Sequence, residues 1–221
     1  MTSPKRTILL VDDHPFMRAG LAQLIQCQPD LAVCGEAGDP AAAFQELSKQ
    51  KTDLVLTDLT LPGRGGLEFI KDLLARYAGL LILVVSMHDE AMYAERVLRA
   101  GAHGYIMKEA GGDKLLAAIR QILDGQSYVS PRLAAKVLHD LAARRPRGSS
   151  SPIVRLTDRE FEIFRLIGNG QNTRGIAEQL HLSPRTVDVH RSHIKEKLEL
   201  SDATALVRYA VRWVETPGAA D

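Results

Sequence analysis

Short apolar runs alternate with amphipathic segments through the first half of the chain. Between these runs, apolar side chains recur three and four positions apart, as at Phe16, Leu21, Leu24 and Ile25, which is the spacing of one helix face. Strands that alternate with helices in this order predict a doubly wound parallel sheet with helices on both faces. The apolar runs that we interpret as strands cover residues 7–11, 31–37, 53–57, 80–85 and 104–107.

The second half of the chain shows helical spacing and no strand pattern. Residues 144–152 are basic, small and bounded by proline, which is typical of a flexible linker. We therefore expect a sheet domain over residues 1–128, a linker helix with a flexible linker over 129–152, and a small all-α domain of four helices over 153–217. A short link, residues 180–183, joins the second and third of these helices in the manner of a helix-turn-helix.

Polar residues that favour helix starts agree with this division. Asp39 precedes Pro40, which predicts a capped helix with proline in its first position. Ser130 and Pro131 predict the start of the linker helix, which we expect to reach about Ala143. The predicted caps in the all-α domain, in chain order, are Thr157 with a capping box to Glu160, Asn172, Ser183 and Ser201.

The composition is that of a soluble globular protein, with 45% hydrophobic and 25% charged residues among 221. No apolar run reaches the roughly 18 residues that span a bilayer, and the N-terminus lacks a signal-peptide core. We therefore expect a cytoplasmic protein with no membrane partner. Cys27 and Cys34 have no Cys or His cluster beside them, which favours buried thiols over a disulfide or a metal pair. The net charge is only +1, so a nucleic-acid site would depend on where the basic residues lie and not on the overall charge.

Five polar side chains stand where the apolar strands stop: Asp12, Asp13, Asp58, Ser86 and Lys108. The carboxyl ends of parallel strands line one crevice, where ligands bind. Carboxylate oxygens suit Mg²⁺, and a lysine can balance the charge of a phosphoryl group. Taken singly, each residue is more often a cap, a turn residue or a surface charge. Five complementary groups together favour a shared site, in which the acids need a cation to offset their mutual repulsion.

These residues resemble the active site of the receiver domain of two-component response regulators. The resemblance covers roughly residues 6–125 and involves separated positions in the right order. It implies a flavodoxin-like sheet of five strands and a phosphoacceptor at Asp58. It also implies a Mg²⁺ site that is formed by Asp58, by Asp13 directly, by Asp12 through water, and by the backbone carbonyl of Thr60.

The same resemblance assigns roles to the other residues of the crevice. Ser86 would hydrogen-bond the phosphoryl group, Lys108 would pair with it, and Tyr105 would be the aromatic that changes rotamer on activation. Packing in an edge strand is the alternative for Tyr105, and His14 is expected to cap the first helix rather than to bind a ligand. Glu109 follows Lys108 where the family often has a proline after a cis bond, and a cis bond without proline costs about 2.5–4 kcal/mol. Either that isomer is kept or Lys108 is oriented differently.

The all-α domain resembles the LuxR-type helix-turn-helix domain of NarL/FixJ-type response regulators over residues 156–214. This resemblance implies that the helix over residues 183–199 enters the major groove of DNA. On that helix, Val187, Ile194 and Leu198 form a buried stripe. The segments that carry the resemblance are Leu156–Glu160, Gly170 with Ile176 and Ala177, Ser183–Val187, His190, Ile194, and Lys197 with Leu198.

The remaining surface of this helix is the predicted DNA surface. Arg191 is our first choice for a base contact because its planar fork suits guanine. Val189 could meet the methyl group of thymine. The other predicted contacts are Arg185, Lys195, Thr173 and Arg174 to phosphates, Thr186 to either bases or phosphates, and His190 to a phosphate or to the neighbouring helix.

Some features of the helix argue against a DNA contact. Asp188 stands where many relatives carry lysine, and it would repel phosphate if it faced DNA. Exposed arginine and lysine side chains on a helix are usually solvated, and glutamates of the same helix are available as partners.

His190 and His193 have a spacing that suggests a metal, but no third ligand is expected near them.

We interpret the chain as a phosphorylation-controlled, DNA-binding transcriptional regulator of a two-component system, and not as an enzyme. The expected partners are a histidine kinase, double-stranded promoter DNA, and a second copy of the chain in a homodimer that forms on phosphorylation or DNA binding. One alternative is an interaction module for protein or RNA that has lost DNA binding. The other is a phosphatase with an aspartyl-phosphate intermediate, which normally needs an acid two residues after its nucleophile, where this chain has Thr60.

Overall fold

The computed structural model describes residues 4–62, 65–135, 152–180 and 182–215. It divides into two compact units, Met1–Ala135 and Lys136–Asp221.

The first unit is a sheet of five parallel strands in the order β2–β1–β3–β4–β5, which confirms the predicted doubly wound fold. A short 3₁₀ turn, Lys108–Ala110, follows the last strand. The strands and helices are β1 (Arg6–Val11), α1 (Pro15–Gln26), β2 (Leu31–Ala37), α2 (Pro40–Lys49), β3 (Leu54–Thr57), α3 (Gly66–Arg76), β4 (Leu81–Ser86), α4 (Glu90–Arg99), β5 (Gly104–Met107) and α5 (Gly112–Leu123).

The core of this unit follows the apolar pattern of the strands. Every residue of β3 is buried, as expected for a central parallel strand covered on both faces. The predicted cap Asp39 is confirmed, because its side chain accepts a hydrogen bond from the backbone of Ala42 at 2.9 Å. Phe16 does not join the core face of α1. It is 95% exposed in the first turn of the helix.

Two other expectations were wrong in detail. The third strand begins at Leu54, one residue later than expected, and the side chain of Asp53 just before it accepts a hydrogen bond from the backbone of Thr7 at 2.8 Å. Of the two cysteines, Cys34 is half-buried but Cys27 is exposed at the C-terminal end of α1. Neither thiol forms a disulfide.

A short stretch after α5, residues 126–130, lies along the outer edge of β5. We call it the exit segment. Tyr128 bridges to Gly104, and its carbonyl accepts a hydrogen bond from the backbone of Tyr105 at 3.1 Å. Glycine is required at 104, because an added Cβ would lie 2.8 Å from the Tyr128 carbonyl oxygen. Beyond the exit segment, residues 131–135 are helical, and the rest of the predicted linker helix and linker lies outside the described residues.

The second unit holds a short 3₁₀ turn, Pro152–Arg155, and then only α-helices in its described part. Phe161 and Phe164 pack edge-on against Trp213 at 5.4 and 5.6 Å, which joins its first and last helices. Among the described residues of the whole chain, no helix is long and apolar enough to cross a bilayer. The helices are α6 (Asp158–Gly168), α7 (Thr173–Gln179), α8 (Pro184–Lys197) and α9 (Ala203–Glu215).

Three of the four predicted caps in this unit are confirmed. Thr157 forms the full capping box, and Asn172 and Ser183 accept from backbone amides of their own helices. The expected cap at Ser201 is wrong. The side chain of Asp202 caps α9 instead by accepting from the backbone of Ala205 at 2.8 Å.

Candidate phosphoryl-transfer site and DNA-binding surface

Four of the predicted crevice residues, Asp12, Asp13, Asp58 and Lys108, meet at the carboxyl ends of the strands. Val11 pairs with Thr57, so that Asp12 and Asp58 follow side by side. The Nζ atom of Lys108 lies 2.7 Å from Oδ2 of Asp12 and 2.7 Å from Oδ2 of Asp58, and all three side chains are buried. Burial acts to lower the pKa of Lys108, but the hydrogen bonds and charges of the two acids outweigh it and hold the pKa above its usual value. One ammonium therefore bridges two carboxylates.

Asp13 and His14 complete an oxygen-rich cluster on the open side of this pair. The Nδ1 atom of His14 lies 2.7 Å from Oδ1 of Asp13 and 3.3 Å from Oδ1 of Asp12. Ligand atoms of Asp12, Asp13, His14 and Asp58 all lie within 4.8 Å of one another. Three carboxylates that converge on one point beside a single ammonium fit a hard divalent cation such as Mg²⁺, which prefers oxygen ligands.

His14 belongs to this site, although the sequence pattern assigned it only to a helix start. It does occupy the position before α1, but its side chain makes no capping hydrogen bond. Instead its backbone amide donates to Oδ1 of Asp12 at 2.8 Å. The feature of the sequence that could have indicated this role is the position of His14 directly after Asp12 and Asp13.

Ser86 ends β4 and is fully buried. Its Oγ accepts a hydrogen bond from the backbone of His88 at 3.3 Å. Tyr105 is also fully buried, and its hydroxyl donates to the carbonyl of His88 at 2.7 Å. Burial raises the pKa of Tyr105 well above its usual value, so this hydroxyl stays a hydrogen-bond donor.

His88 connects these residues to the loop after β3. Its Nε2 atom lies 3.1 Å from Oγ1 of Thr60, and its ring stacks on Tyr93 with 5.0 Å between the ring centroids. Sequence reasoning missed this residue, because its only signal was its position two residues after Ser86. The loop after β4 is thus bound both to Thr60 and to Tyr105.

The orientation of Lys108 is settled by the geometry. The described residues contain no cis peptide bond, so the bond between Lys108 and Glu109 is trans. Lys108 nevertheless reaches both Asp12 and Asp58. The side chain therefore faces the crevice in the trans isomer.

The helix α8 buries the predicted stripe of Val187, Ile194 and Leu198. The residues outside this stripe are exposed or half-buried. Val189 is 47% exposed. Of the other predicted DNA contacts, Arg174 and Arg185 are exposed, and Thr173, Thr186, His190, Arg191 and Lys195 are half-buried.

Asp188 is tied to the preceding helix. Its Oδ1 accepts a hydrogen bond from Oγ1 of Thr173 at 3.3 Å. The same Thr173 oxygen accepts from Nη1 of Arg191 at 3.4 Å. The structure thus brings two predicted DNA contacts together, and Asp188 orients Thr173 beside Arg191.

A third potential ligand does lie near His190 and His193, so the expectation that none was present is wrong. Ligand atoms of Glu160, His190 and His193 lie within 4.8 Å of one another. The carboxylate of Glu160 is already engaged, however, because its Oε2 is 2.6 Å from Nζ of Lys197 and 2.7 Å from the backbone nitrogen of Thr157. Burial acts to raise the pKa of Glu160, but these hydrogen bonds hold it below its usual value. Glu160 therefore joins α6 to α8 as an ion pair.

Two family models match the chain. The model of the response regulator receiver domain matches residues 8–120. The model of bacterial regulatory proteins of the luxR family matches residues 154–210. The chain therefore belongs to the response regulators that carry a receiver domain and a LuxR-type DNA-binding domain. This is a class of phosphorylation-dependent transcription regulators, which confirms the function predicted from the sequence.

Similar proteins cover nearly the whole chain. The oxygen regulatory protein NreC of Staphylococcus carnosus (strain TM300) is 32% identical over 209 residues, which make up 93% of this chain and 96% of NreC. NreC of Staphylococcus aureus (strain MRSA252) is 35% identical over 209 residues, with the same coverage.

Solved structures share the fold. RcsB from Salmonella enterica serovar Typhimurium, bound to the promoter rprA in the presence of the phosphomimetic BeF₃⁻, aligns with a TM-score of 0.66 at 24% identity. The alignment covers 94% of this chain and 99% of RcsB. A LuxR-family response regulator from Aurantimonas sp. SI85-9A1 aligns with a TM-score of 0.59 at 35% identity, and covers 63% of this chain and 99% of that protein.

Proposed function

We propose that Asp58 accepts the phosphoryl group and that Mg²⁺ binds beside it. The carrying observation is the bridge from Lys108 to Asp58 and Asp12 at 2.7 Å, within a cluster of acids. Asp12, Asp13, Asp58 and the backbone carbonyl of Thr60 would hold the ion. When bound, it offsets the negative charge that otherwise keeps a carboxylate away from a phosphoryl donor.

The residues of the chain supply the rest of the reaction. An oxygen of Asp58 attacks phosphorus, and the bond from phosphorus to the donor breaks, so that the leaving group departs with the electron pair. Lys108 is already paired with Asp58 and can follow the charge onto the phosphoryl oxygens. Ser86 can turn its hydroxyl from the loop amide of His88 toward the same oxygens. Loss of that contact would release the loop that Tyr105 also holds.

The DNA partner is proposed to be a double-stranded promoter site read by α8 in the major groove. The exposed Val189 and the basic side chains around it support this. Arg191 would contact a guanine edge, and Val189 a thymine methyl. The further contacts would be Thr173, Arg174, Arg185 and Lys195 to phosphates, Thr186 to bases or phosphates, and His190 to a phosphate or to α6.

We assign the phosphodonor to a histidine kinase and expect a homodimer on phosphorylation or DNA binding. The expectation of paired copies on DNA is supported by RcsB, a structural neighbour, of which one structure holds two dimers bound to two parallel DNAs. Because its DNA partner lies in the cytoplasm, we place the protein there. We keep the domain bounds expected from the sequence, with a receiver domain over residues 1–128, a linker over 129–152 and a DNA-binding domain over 153–217. The role is regulation, with no substrate turned over beyond the phosphoryl group on Asp58.

Labelling with acetyl phosphate in the presence of Mg²⁺ tests the proposal. Asp58→Asn should abolish labelling, because an amide does not attack phosphorus. Asp113→Asn, which changes an exposed acid in the first turn of α5, is the matched control and should label normally. Undiminished labelling of Asp58→Asn would show that another residue is the acceptor.

A further inference from the structure

The exit segment is fastened to the edge of the sheet by backbone hydrogen bonds. The amide of Tyr128 donates to the carbonyl of His103 at 2.9 Å, and the carbonyl of Tyr128 accepts from the amide of Tyr105 at 3.1 Å. Tyr105 is therefore bonded on two sides. Its amide holds the exit segment, and its hydroxyl holds His88 in the loop after β4. The exit segment and the loop next to the phosphorylation site share one residue.

A second connection runs through α4. Ser130, the last residue of the exit segment, donates its hydroxyl hydrogen bond to Oε1 of Glu90. Glu90 lies in the first turn of α4, directly after that loop, and is only 8% exposed. A buried carboxylate needs such partners. Burial raises the pKa of Tyr128 above its usual value, and the negative charge of Glu90 raises it further.

The same hydroxyl starts the next helix. The Oγ of Ser130 accepts from the backbone of Leu133 at 3.1 Å, and the carbonyl of Ser130 accepts from Ala134 at 3.0 Å. Ser130 is therefore both the cap of the helix at residues 131–135 and the partner of Glu90. A change in the position of Glu90 acts directly on the first turn of this helix.

We infer that Glu90 and Ser130 are positioning residues that transmit movement of the loop after β4 to the start of the linker helix. The loop contains His88, which is bonded to Ser86 and Tyr105. When Ser86 turns toward a phosphoryl group, the loop and the first turn of α4 shift, and the hydrogen bond to Ser130 carries that shift out of the receiver. This inference rests on the proposed phosphorylation of Asp58.

Hydrogen exchange of the full chain with and without Mg²⁺ and BeF₃⁻ tests this route. We expect BeF₃⁻ to change the exchange of amides in residues 86–90 and also in residues 128–130 and 132–134, since Pro131 has no amide hydrogen. A change at 86–90 with none at 128–134 would overturn the inference and leave the proposed function intact. A chain that shows no change at either place would overturn both, since no BeF₃⁻ response would then exist at Asp58.

Variants separate this role from a structural one. Ser130→Ala should keep the labelling of Asp58 by acetyl phosphate. It should lower the BeF₃⁻ effect on the amides of residues 132–134 by about fivefold, the ratio that corresponds to the free energy of one ordinary hydrogen bond. Glu90→Leu should do the same, whereas Ser130→Thr keeps the hydroxyl and should retain the effect. An undiminished BeF₃⁻ effect in Ser130→Ala or in Glu90→Leu would overturn the inference, because either change removes the hydrogen bond between the two residues. The same loss in Ser130→Thr would also overturn it.

Discussion

Lys108 and Asp58 are 50 positions apart in the chain, yet Nζ of the lysine lies 2.7 Å from Oδ2 of the aspartate. The lysine makes the same contact with Asp12, so a single buried cation holds two buried acids. Removing one member of such a group leaves an uncompensated charge in a poorly solvated place. The free energy lost in this way is larger than the net stability that the intact group contributes. The site therefore depends on its lysine for folding as well as for chemistry.

Lys108→Met should destabilise the first unit by about 3 kcal/mol in the absence of Mg²⁺, because Asp12 and Asp58 would repel each other without a counterion. Mg²⁺ should restore part of the loss. Urea unfolding with and without the ion measures both effects. Lys114→Met is the matched control, since Lys114 is an exposed residue of α5. Equal stability of Lys108→Met and Lys114→Met would show that the acids do not need the ammonium.

The Glu160 ion pair predicts acid sensitivity of the second unit. The pKa of Glu160 is held below its ordinary value of 4.5 in the folded chain, because Lys197 and the backbone of Thr157 donate hydrogen bonds to the carboxylate. Its contribution to stability is therefore complete above that range and is lost as the pH falls through the lower folded value. Thermal unfolding between pH 7 and pH 3 should show this loss.

Glu160→Gln should flatten that pH profile, and Glu178→Gln should not. Glu178 is an exposed glutamate of α7, which makes it a suitable control for loss of charge. A profile that stays as steep in Glu160→Gln as in the unaltered chain would place the acid sensitivity in other carboxylates.

Gly104→Ala tests the close approach of the exit segment to β5. A methyl group at 104 would lie 2.8 Å from both the Tyr128 carbonyl oxygen and Cδ1 of Ile122, so we expect a loss of about 1–3 kcal/mol in unfolding free energy. Gly20 lies within α1 with nothing inside 4 Å of its added Cβ. Gly20→Ala should therefore raise stability by roughly 0.5–1 kcal/mol, as alanine favours helix over glycine. Chemical denaturation of both variants gives the comparison, and equal effects would contradict it.

Arg191→Ala should weaken binding to the operator by about 1–3 kcal/mol and weaken nonspecific binding much less, because a base contact is lost. Arg185→Ala should weaken both by a similar factor and reduce the salt dependence by about one phosphate contact. Fluorescence anisotropy over a range of salt concentrations measures both. If Arg191→Ala lost equally on both DNAs, Arg191 would be a phosphate contact.

The sequence predicted the parts of the site that depend on strand ends. Asp12, Asp58, Ser86 and Lys108 each follow an apolar run, and a parallel sheet must bring such ends together. The buried stripe of α8 was predicted for a similar reason, because it depends only on helical period.

Contacts between side chains on different elements were not predictable in this way. His88 gains its role from Thr60 and Tyr105, which are 28 and 17 positions away. Glu160 was seen only as a capping residue, since nothing local indicates that it also meets Lys197, 37 positions later. The cap at Asp202 was missed because Ser201 beside it is an equally good cap by residue type.

The exit segment has a consequence for shortened forms of this protein. β5 is one of the two edge strands of the sheet, and an uncovered edge strand offers backbone groups to which another chain can bind. Tyr128 occupies some of those groups. A receiver cut off at Gly125 would leave them open and should self-associate or aggregate, whereas one that extends through Ala135 should stay monodisperse in sedimentation.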